Sequence, residues 1–255
     1  MIANPASGSD RFQPYLTISG TGTEVLLDGP GDIDGDGCDD LRLAWVPPVG
    51  PPLARVRSGL NGALIFQLSP QPYSGGFMSG AGFGGMGGRT LDLNADGHGE
   101  LVLVRTGQDM IQVRSGLDGS LMSVLTPAMF GWSPSGFGGI IGWGLSAPGD
   151  LNGDGSPDLI VRGGPAASCS EVVVLGGPSL GLLYQHSAGC GTPFGSSIGP
   201  IEDVSGDGYP DYFIGDPGAS PNTALPSAGW IGFYSGATGQ LMTSVSGTQP
   251  GQVLG

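Results

Sequence analysis

The chain has 255 residues, 52 of them glycine and 22 proline, and carries a formal net charge of −14 from 22 acidic and 8 basic residues. So acidic a balance offers little to a phosphate backbone or an anionic bilayer, which excludes nucleic acid and membrane surfaces as expected partners. No run of 18 apolar residues occurs, and the opening MIANPASGSD has no basic segment followed by an apolar one, so neither a spanning helix nor a secretory signal is read.

The glycines punctuate short apolar runs, which is the pattern of many short strands joined by turns. The first such unit contains DIDGDGCDD, Asp32 to Asp40, with five acidic residues in nine, followed by LRLAW and later by RVRSGLNGALIFQL. The second contains DLNADGHGE from Asp92, then LVLVR and IQVRSGLDGSLMSVL. DLNGDGSPD from Asp150 opens the third, ahead of LIV and EVVVL. DVSGDGYPD from Asp203 opens the fourth, ahead of YFIG and IGFYSGATGQLMTSV. The first aspartates stand 60, 58 and 53 residues apart, too long a period for leucine-rich, tetratricopeptide or ankyrin repeats. Each unit therefore reads as strand, acidic loop, strand, connection, strand, SGxxG turn, strand. The phrase SGxxG places glycines where a tight turn needs positive φ. No amphipathic helical period survives the prolines and glycines.

A four-stranded antiparallel sheet with two apolar faces cannot bury both alone, so neighbouring units must stack. The expected fold is an all-β propeller, with blades over about 19–70, 80–127, 137–188 and 193–247 and residues 248–255 starting a further repeat. Fourteen of the 22 acids fall in the four loops, and no lysine or arginine lies among them. Crowded carboxylates repel one another, and a bound hard cation with oxygen ligands resolves the repulsion. Oxygen-bearing side chains occupy loop positions 1, 3, 5 and 9, position 6 is glycine, and position 7 can offer its backbone carbonyl. The candidate metal residues are Asp32, Asp34, Asp36, Cys38 and Asp40; Asp92, Asn94, Asp96, His98 and Glu100; Asp150, Asn152, Asp154, Ser156 and Asp158; Asp203, Ser205, Asp207, Tyr209 and Asp211. An EF-hand would place a bidentate Glu at position 12, but Leu43, Leu103, Val161 and Ile214 stand there, inside apolar runs. Zinc is disfavoured by the all-oxygen set and magnesium by the water it retains, so about four Ca2+ ions with a structural role are expected.

The string FGSSIGPIEDVSGDGYPDYFIGDPGA, Phe194 to Ala219, resembles the FG-GAP repeat of integrin α-chain β-propellers and of many secreted bacterial proteins. The third unit, IGWGLSAPGDLNGDGSPDLIVRGGPA, is similar, with Phe137-Gly138 four residues ahead of the register and Ile141-Gly142 in it. The second unit keeps Phe83-Gly84. The first has Thr23-Glu24 instead, and neither of these two units keeps the GAP-like turn. The resemblance implies a calcium loop between the first two strands of each blade, with partners binding on the opposite face. It also implies a seven-bladed parent, of which four blades are here, and Leu254-Gly255 fall where an FG pair would open a fifth. An incomplete array of this kind is expected to self-associate.

Cys169 and Cys190 flank the two runs of one hairpin, a placement that suits a cross-strand disulfide in an oxidising compartment, with unpaired cysteines as the other reading. Cys38 stands among carboxylates that would raise its pKa and blunt its reactivity. His98 and His186 are the imidazoles present, and no nucleophile elbow, HExxH, P-loop or dinucleotide fingerprint appears in a fitting context, so no catalytic residue is assigned. Trp45, Trp132, Trp143 and Trp230, with Tyr209 and Tyr234, are either core or anchors for a partner. The function expected is an extracellular, calcium-stabilised binding, adhesion or scaffold module for a protein or glycan partner. The alternative is a propeller accessory to, or part of, a secreted hydrolase or lyase.

Overall fold

The computed structural model describes residues 23–46, 53–68, 91–105, 110–132, 144–166 and 169–255. Phe83-Gly84, Phe137-Gly138, Ile141-Gly142, Trp143 and the side chain of Trp45 lie outside that description. Among the described residues, fifteen strands form four antiparallel sheets in chain order. The first holds β1 (Thr23–Gly31), β2 (Asp40–Val46), β3 (Leu53–Arg57) and β4 (Leu64–Leu68), each paired with its sequence neighbour. The second holds β5 (Leu101–Arg105), β6 (Met110–Arg114) and β7 (Leu121–Leu125). The third runs through β8 (Leu145–Gly149), β9 (Asp158–Ala166), β10 (Cys169–Gly176) and β11 (Gly181–Cys190). The fourth runs through β12 (Ser197–Ile201), β13 (Asp211–Asp216), β14 (Trp230–Tyr234) and β15 (Leu241–Ser246). In the first, third and fourth sheets the acidic loop links the first and second strands, and in the second it leads into β5, the first of the three described strands. A 3-10 turn at Pro127–Phe130 is the helical element among the described residues, and no helix is long and apolar enough to cross a membrane.

Consecutive sheets pack face to face, which makes each a blade of a β-propeller. Because side chains alternate along a strand, Leu159, Val161, Val173 and Leu175 face the second blade, where they meet Val102, Ile111, Val113 and Leu125. Ile160, Val172 and Val174 point the other way and meet Tyr212, Ile214 and Tyr234 of the fourth blade. Ile33, Val56, Leu68 and Leu101 join the first blade to the second. The innermost strands β8 and β12 lie side by side. Trp132 is buried in the core between the second and third blades, its Nε1–H donating to Glu171 Oε2 at 2.6 Å. Trp230 packs partly buried between the third and fourth. Both serve the core.

The Phe-Gly pair has a plain physical reading at Phe194-Gly195. The Phe194 ring fills the seam between the third and fourth blades. Gly195 has φ of +75°, and a Cβ there would lie 2.6 Å from Val172 Cγ2. Arg162 Nε–H donates to the Phe194 carbonyl at 2.8 Å, which fixes the pair to the preceding blade. Cys169 and Cys190 sit opposite each other at the open end of the β10–β11 hairpin and are joined in a disulfide. Cys38 is the free cysteine.

The SGxxG turns divide their glycines between two jobs. The last glycine of each, Gly62, Gly119 and Gly239, takes the positive φ that the turn requires. The first does not, and space is its constraint: a Cβ on Gly59, Gly116 or Gly236 would lie 1.8, 2.1 or 2.0 Å from the carbonyl oxygen of loop position 8 in its own blade. The third blade lacks the serine, yet Gly177 approaches Pro157 in the same way, with 2.3 Å for its Cβ. Gly236→Ala therefore forces hairpin and loop apart. It should destabilise the protein by roughly 2–3 kcal/mol, at the upper end of overpacking effects, whereas Gly206→Ala, with open space but φ of +78°, should lose about 1 kcal/mol. Urea denaturation of the two variants checks the order.

Candidate metal centres

Each acidic loop is held first by its own backbone. The position 1 carboxylate accepts several loop N–H groups: Asp32 takes those of Gly35, Asp36 and Gly37 at 2.8, 3.1 and 2.9 Å. Asp150 repeats this with Gly153, Asp154 and Gly155, and Asp203 with Gly206, Asp207 and Gly208. Asp92 accepts from Asp96 and Gly97. The position 5 carboxylate accepts the N–H of position 7, so Cys38, His98, Ser156 and Tyr209 are all turned the same way, at 2.9 to 3.0 Å. These amides face inward because every second residue is a glycine or a short polar residue that tolerates the tight coil.

Position 9 joins the loop to the hairpin. Asp40 accepts from Ile33 N–H at 2.7 Å with one oxygen and from Gly59 N–H at 3.0 Å with the other. Asp158 does the same with Leu151 and Gly177, and Asp211 with Val204 and Gly236. Glu100 differs. Its Oε2 accepts from Leu93 N–H, while its Oε1 is buried and has no hydrogen-bond partner. Burial pushes the Glu100 carboxyl up to about 7, with Asp92 and Asp96 adding to the rise. Asp158 is pushed up to about 6 by burial, and Asp40 and Asp34 are raised for the same reason. Asp203, exposed and held by three N–H groups, is lowered.

Three clusters emerge in which one carboxylate oxygen from each of three residues lies within 4.8 Å of the others: Asp32, Asp34 and Asp36; Asp92, Asp96 and Glu100; Asp203, Asp207 and Asp211. The third loop keeps the same backbone frame, but Asp150, Asp154 and Asp158 do not form such a cluster among the described residues. Asn94 and Asn152 each turn their Oδ1 to the N–H of position 5 and their Nδ2–H to its carboxylate. Ser205 donates its hydroxyl to Asp203 at 3.2 Å. The clusters are oxygen throughout, and Glu100 of the second has a buried oxygen, Oε1, without a protein donor. That donor set fits a hard cation that takes oxygen ligands.

The structure adds residues that the loop pattern did not single out. Ser58 Oγ–H donates to Asp36 Oδ2 at 3.0 Å, and Ser235 Oγ–H to Asp207 Oδ2 at 3.3 Å, so the serine of the SGxxG turn orients the position 5 ligand. Its signal was the recurrence of the SG pair downstream of the first, second and fourth loops. Position 7 side chains act between blades. The His98 ring lies against Gly35 of the preceding loop, with Nδ1 3.0 Å from the Ile33 carbonyl, and the Tyr209 ring covers Gly153. Burial raises the Cys38 thiol pKa, and Asp36 and Asp32 add to it. His186, in β11, is 2.7 Å from the Tyr212 hydroxyl with its ring tilted against that of Tyr234, and burial pushes it down to about 4.

No protein-family model matches the sequence, and no curated protein matches it. Among solved structures the chain is similar to the rhamnogalacturonan lyase YesW, at 16% identity over 89% of this chain and 52% of that one, with a TM-score of 0.48. It is similar to the Bacillus licheniformis rhamnogalacturonan lyase PL11 at 14% identity, 89% and 52% coverage and a TM-score of 0.47. The Dos1 propeller gives 11% identity, 89% and 48% coverage and a TM-score of 0.46. The chain spans about half the length of each. None of the three carries an activity to this chain.

Ala95 occupies loop position 4, where the other loops have glycine, at a φ of +58°. Replacing it with glycine removes a steric penalty of about 1 kcal/mol, so Ala95→Gly should raise stability by roughly that amount in a calorimetric melt. The Glu100 carboxyl supplies a second test. Its folded pKa lies above its unfolded value of about 4.5, so the folded state binds the extra proton and, without metal, gains stability as pH falls through 7. Between pH 8 and 6.5, lowering the pH should raise the melting temperature of chelator-treated protein relative to that of Glu100→Gln; the comparison cancels the opposing pull of His186, which is held neutral in the fold and ordinarily titrates near 6.5.

Proposed function

We propose that this chain is a calcium-stabilised propeller module of the FG-GAP type whose job is binding or scaffolding and not catalysis. The observation that carries the reading is the second cluster, where Glu100 gathers with Asp92 and Asp96 and its buried Oε1 has no protein donor. Burying a carboxylate that way costs several kcal/mol unless a cation compensates it or a proton neutralises it. In the loops the ion would be held by Asp32, Asp34 and Asp36, by Asp92, Asp96 and Glu100, and by Asp203, Asp207 and Asp211, with position 7 offering its carbonyl. The third loop, with Asp150, Asn152, Asp154 and Asp158, is the fourth and weakest candidate. Bound calcium supplies positive charge, and the chain's own residues do the rest: they fix the loop against its hairpin and against the next blade.

The Cys169–Cys190 disulfide supports an extracellular or cell-surface setting, where such bonds persist. Partner recognition, of a protein or a glycan, falls to the surface the loops hold in shape. A non-catalytic role is supported by what the titratable groups are engaged in: His186 is packed against the Tyr212 and Tyr234 pair, where burial favours its neutral form, and the Cys38 thiol is raised and surrounded by carboxylates. Calcium that binds the native state alone adds about 2.7 kcal/mol per site at a hundredfold excess over its Kd. The melting temperature should therefore rise strongly in millimolar calcium and fall in excess chelator. Superimposed melting curves in the two conditions would overturn the proposal.

A further inference from the structure

The four blades are not equivalent in what covers them, and the difference falls at matching positions. Loop position 2 is an apolar plug that enters the next blade. Ile33 reaches Gly116, Leu93 reaches Gly177 and Leu151 reaches Gly236, and each plug is 0 or 1% exposed. Val204 holds the same position in the fourth loop and is 66% exposed. The sheet faces repeat this contrast. Val102 and Val113 of the second blade, and Ile160 and Val174 of the third, are paired neighbours buried under the following blade. Their counterparts in the fourth, Phe213 and Phe233, are equally paired but only half-buried, and Val245 on the same face is 51% exposed.

A third observation says what belongs there. Phe194-Gly195, which open the fourth blade, sit on the third blade beside Arg162 and Val172. Leu254-Gly255 sit in the corresponding place on the fourth. Leu254 bridges to Gly229 and donates its N–H to the Ala228 carbonyl, and Gly255 lies against Gly215, Asp216 and Trp230.

We propose that the outward face of the fourth sheet, together with Val204, is a docking surface for one more four-stranded sheet of the same repeat, set in register by Leu254-Gly255. The occupant must have two features. It presents small apolar side chains at the positions of Tyr212, Ile214 and Tyr234, to fit against Phe213, Ile231 and Phe233. It also carries a turn glycine with no room for a Cβ, to receive Val204 as Gly236 receives Leu151. The inference is independent of the calcium reading, since both arms of its test are run in the same saturating calcium.

The third repeat has both features, in Leu159, Val161 and Leu175 and in Gly177. The test appends a copy of residues 143–193 directly after Gly255, in a Cys38→Ser background bearing Val204→Cys, and follows maleimide labelling under non-reducing conditions. In the 255-residue chain labelling should be fast and independent of protein concentration. In the extended chain it should slow at least tenfold, and Leu254→Asp in the extended chain should restore it. An unchanged rate in the extended chain would overturn the proposal. So would slow labelling in the 255-residue chain, which would assign the face to another part of the same chain, or protection that grows with concentration, which would assign it to a second copy.

Discussion

Mutual repulsion among carboxylates is the constraint around which the rest of this protein is arranged. Fourteen of its 22 acidic residues are confined to four loops, and each loop answers the repulsion by turning backbone N–H groups inward onto positions 1, 5 and 9. Oriented amides disperse part of the charge, as they do in other anion-holding turns. They do not disperse all of it. Burial raises the carboxyls of Glu100, Asp158, Asp40 and Asp34, and neighbouring carboxylates add to each rise.

The same contacts make the loops into joints. A position 9 carboxylate ties the loop to a hairpin turn, the turn glycine rests on the position 8 carbonyl, and the plug from the preceding loop lands on that glycine. Charge, close backbone approach and apolar burial thus meet at one spot in the third and fourth blades. Neutralising the charge stiffens the contact between blades as well as the loop. Position 7 strengthens it from the other side, where His98 and Tyr209 lie across the loop before their own.

Much of this was legible in the sequence. The period of the loops, the strands that follow them and the four-stranded unit come from spacing alone, because glycine, alternating oxygen side chains and short apolar runs each report a local backbone demand. The placement of Cys169 and Cys190 about one hairpin also read directly into their pairing. What spacing does not report is which oxygen of a carboxylate is already engaged. Asp40, Asp158 and Asp211 looked like simple ligands, yet both oxygens of each accept backbone N–H groups. Glu100, one methylene longer, reads as a conservative change and is the one left with a free oxygen. The first glycine of SGxxG looked like a turn residue and proved to be a spacer, since steric room is set by a carbonyl 17 to 26 residues earlier in sequence. The Tyr212, His186 and Tyr234 seam had no sequence signal, because its members come from separate strands of two blades.

The central claim is that cations complete these loops, and counting them is its most direct test. Native mass spectrometry of the protein, after calcium loading and exchange into volatile buffer, should show at least three calcium ions retained per chain, one for each three-carboxylate cluster. Glu100→Gln should lower the count by one while leaving the others in place. A spectrum of folded protein with no retained calcium would contradict the account.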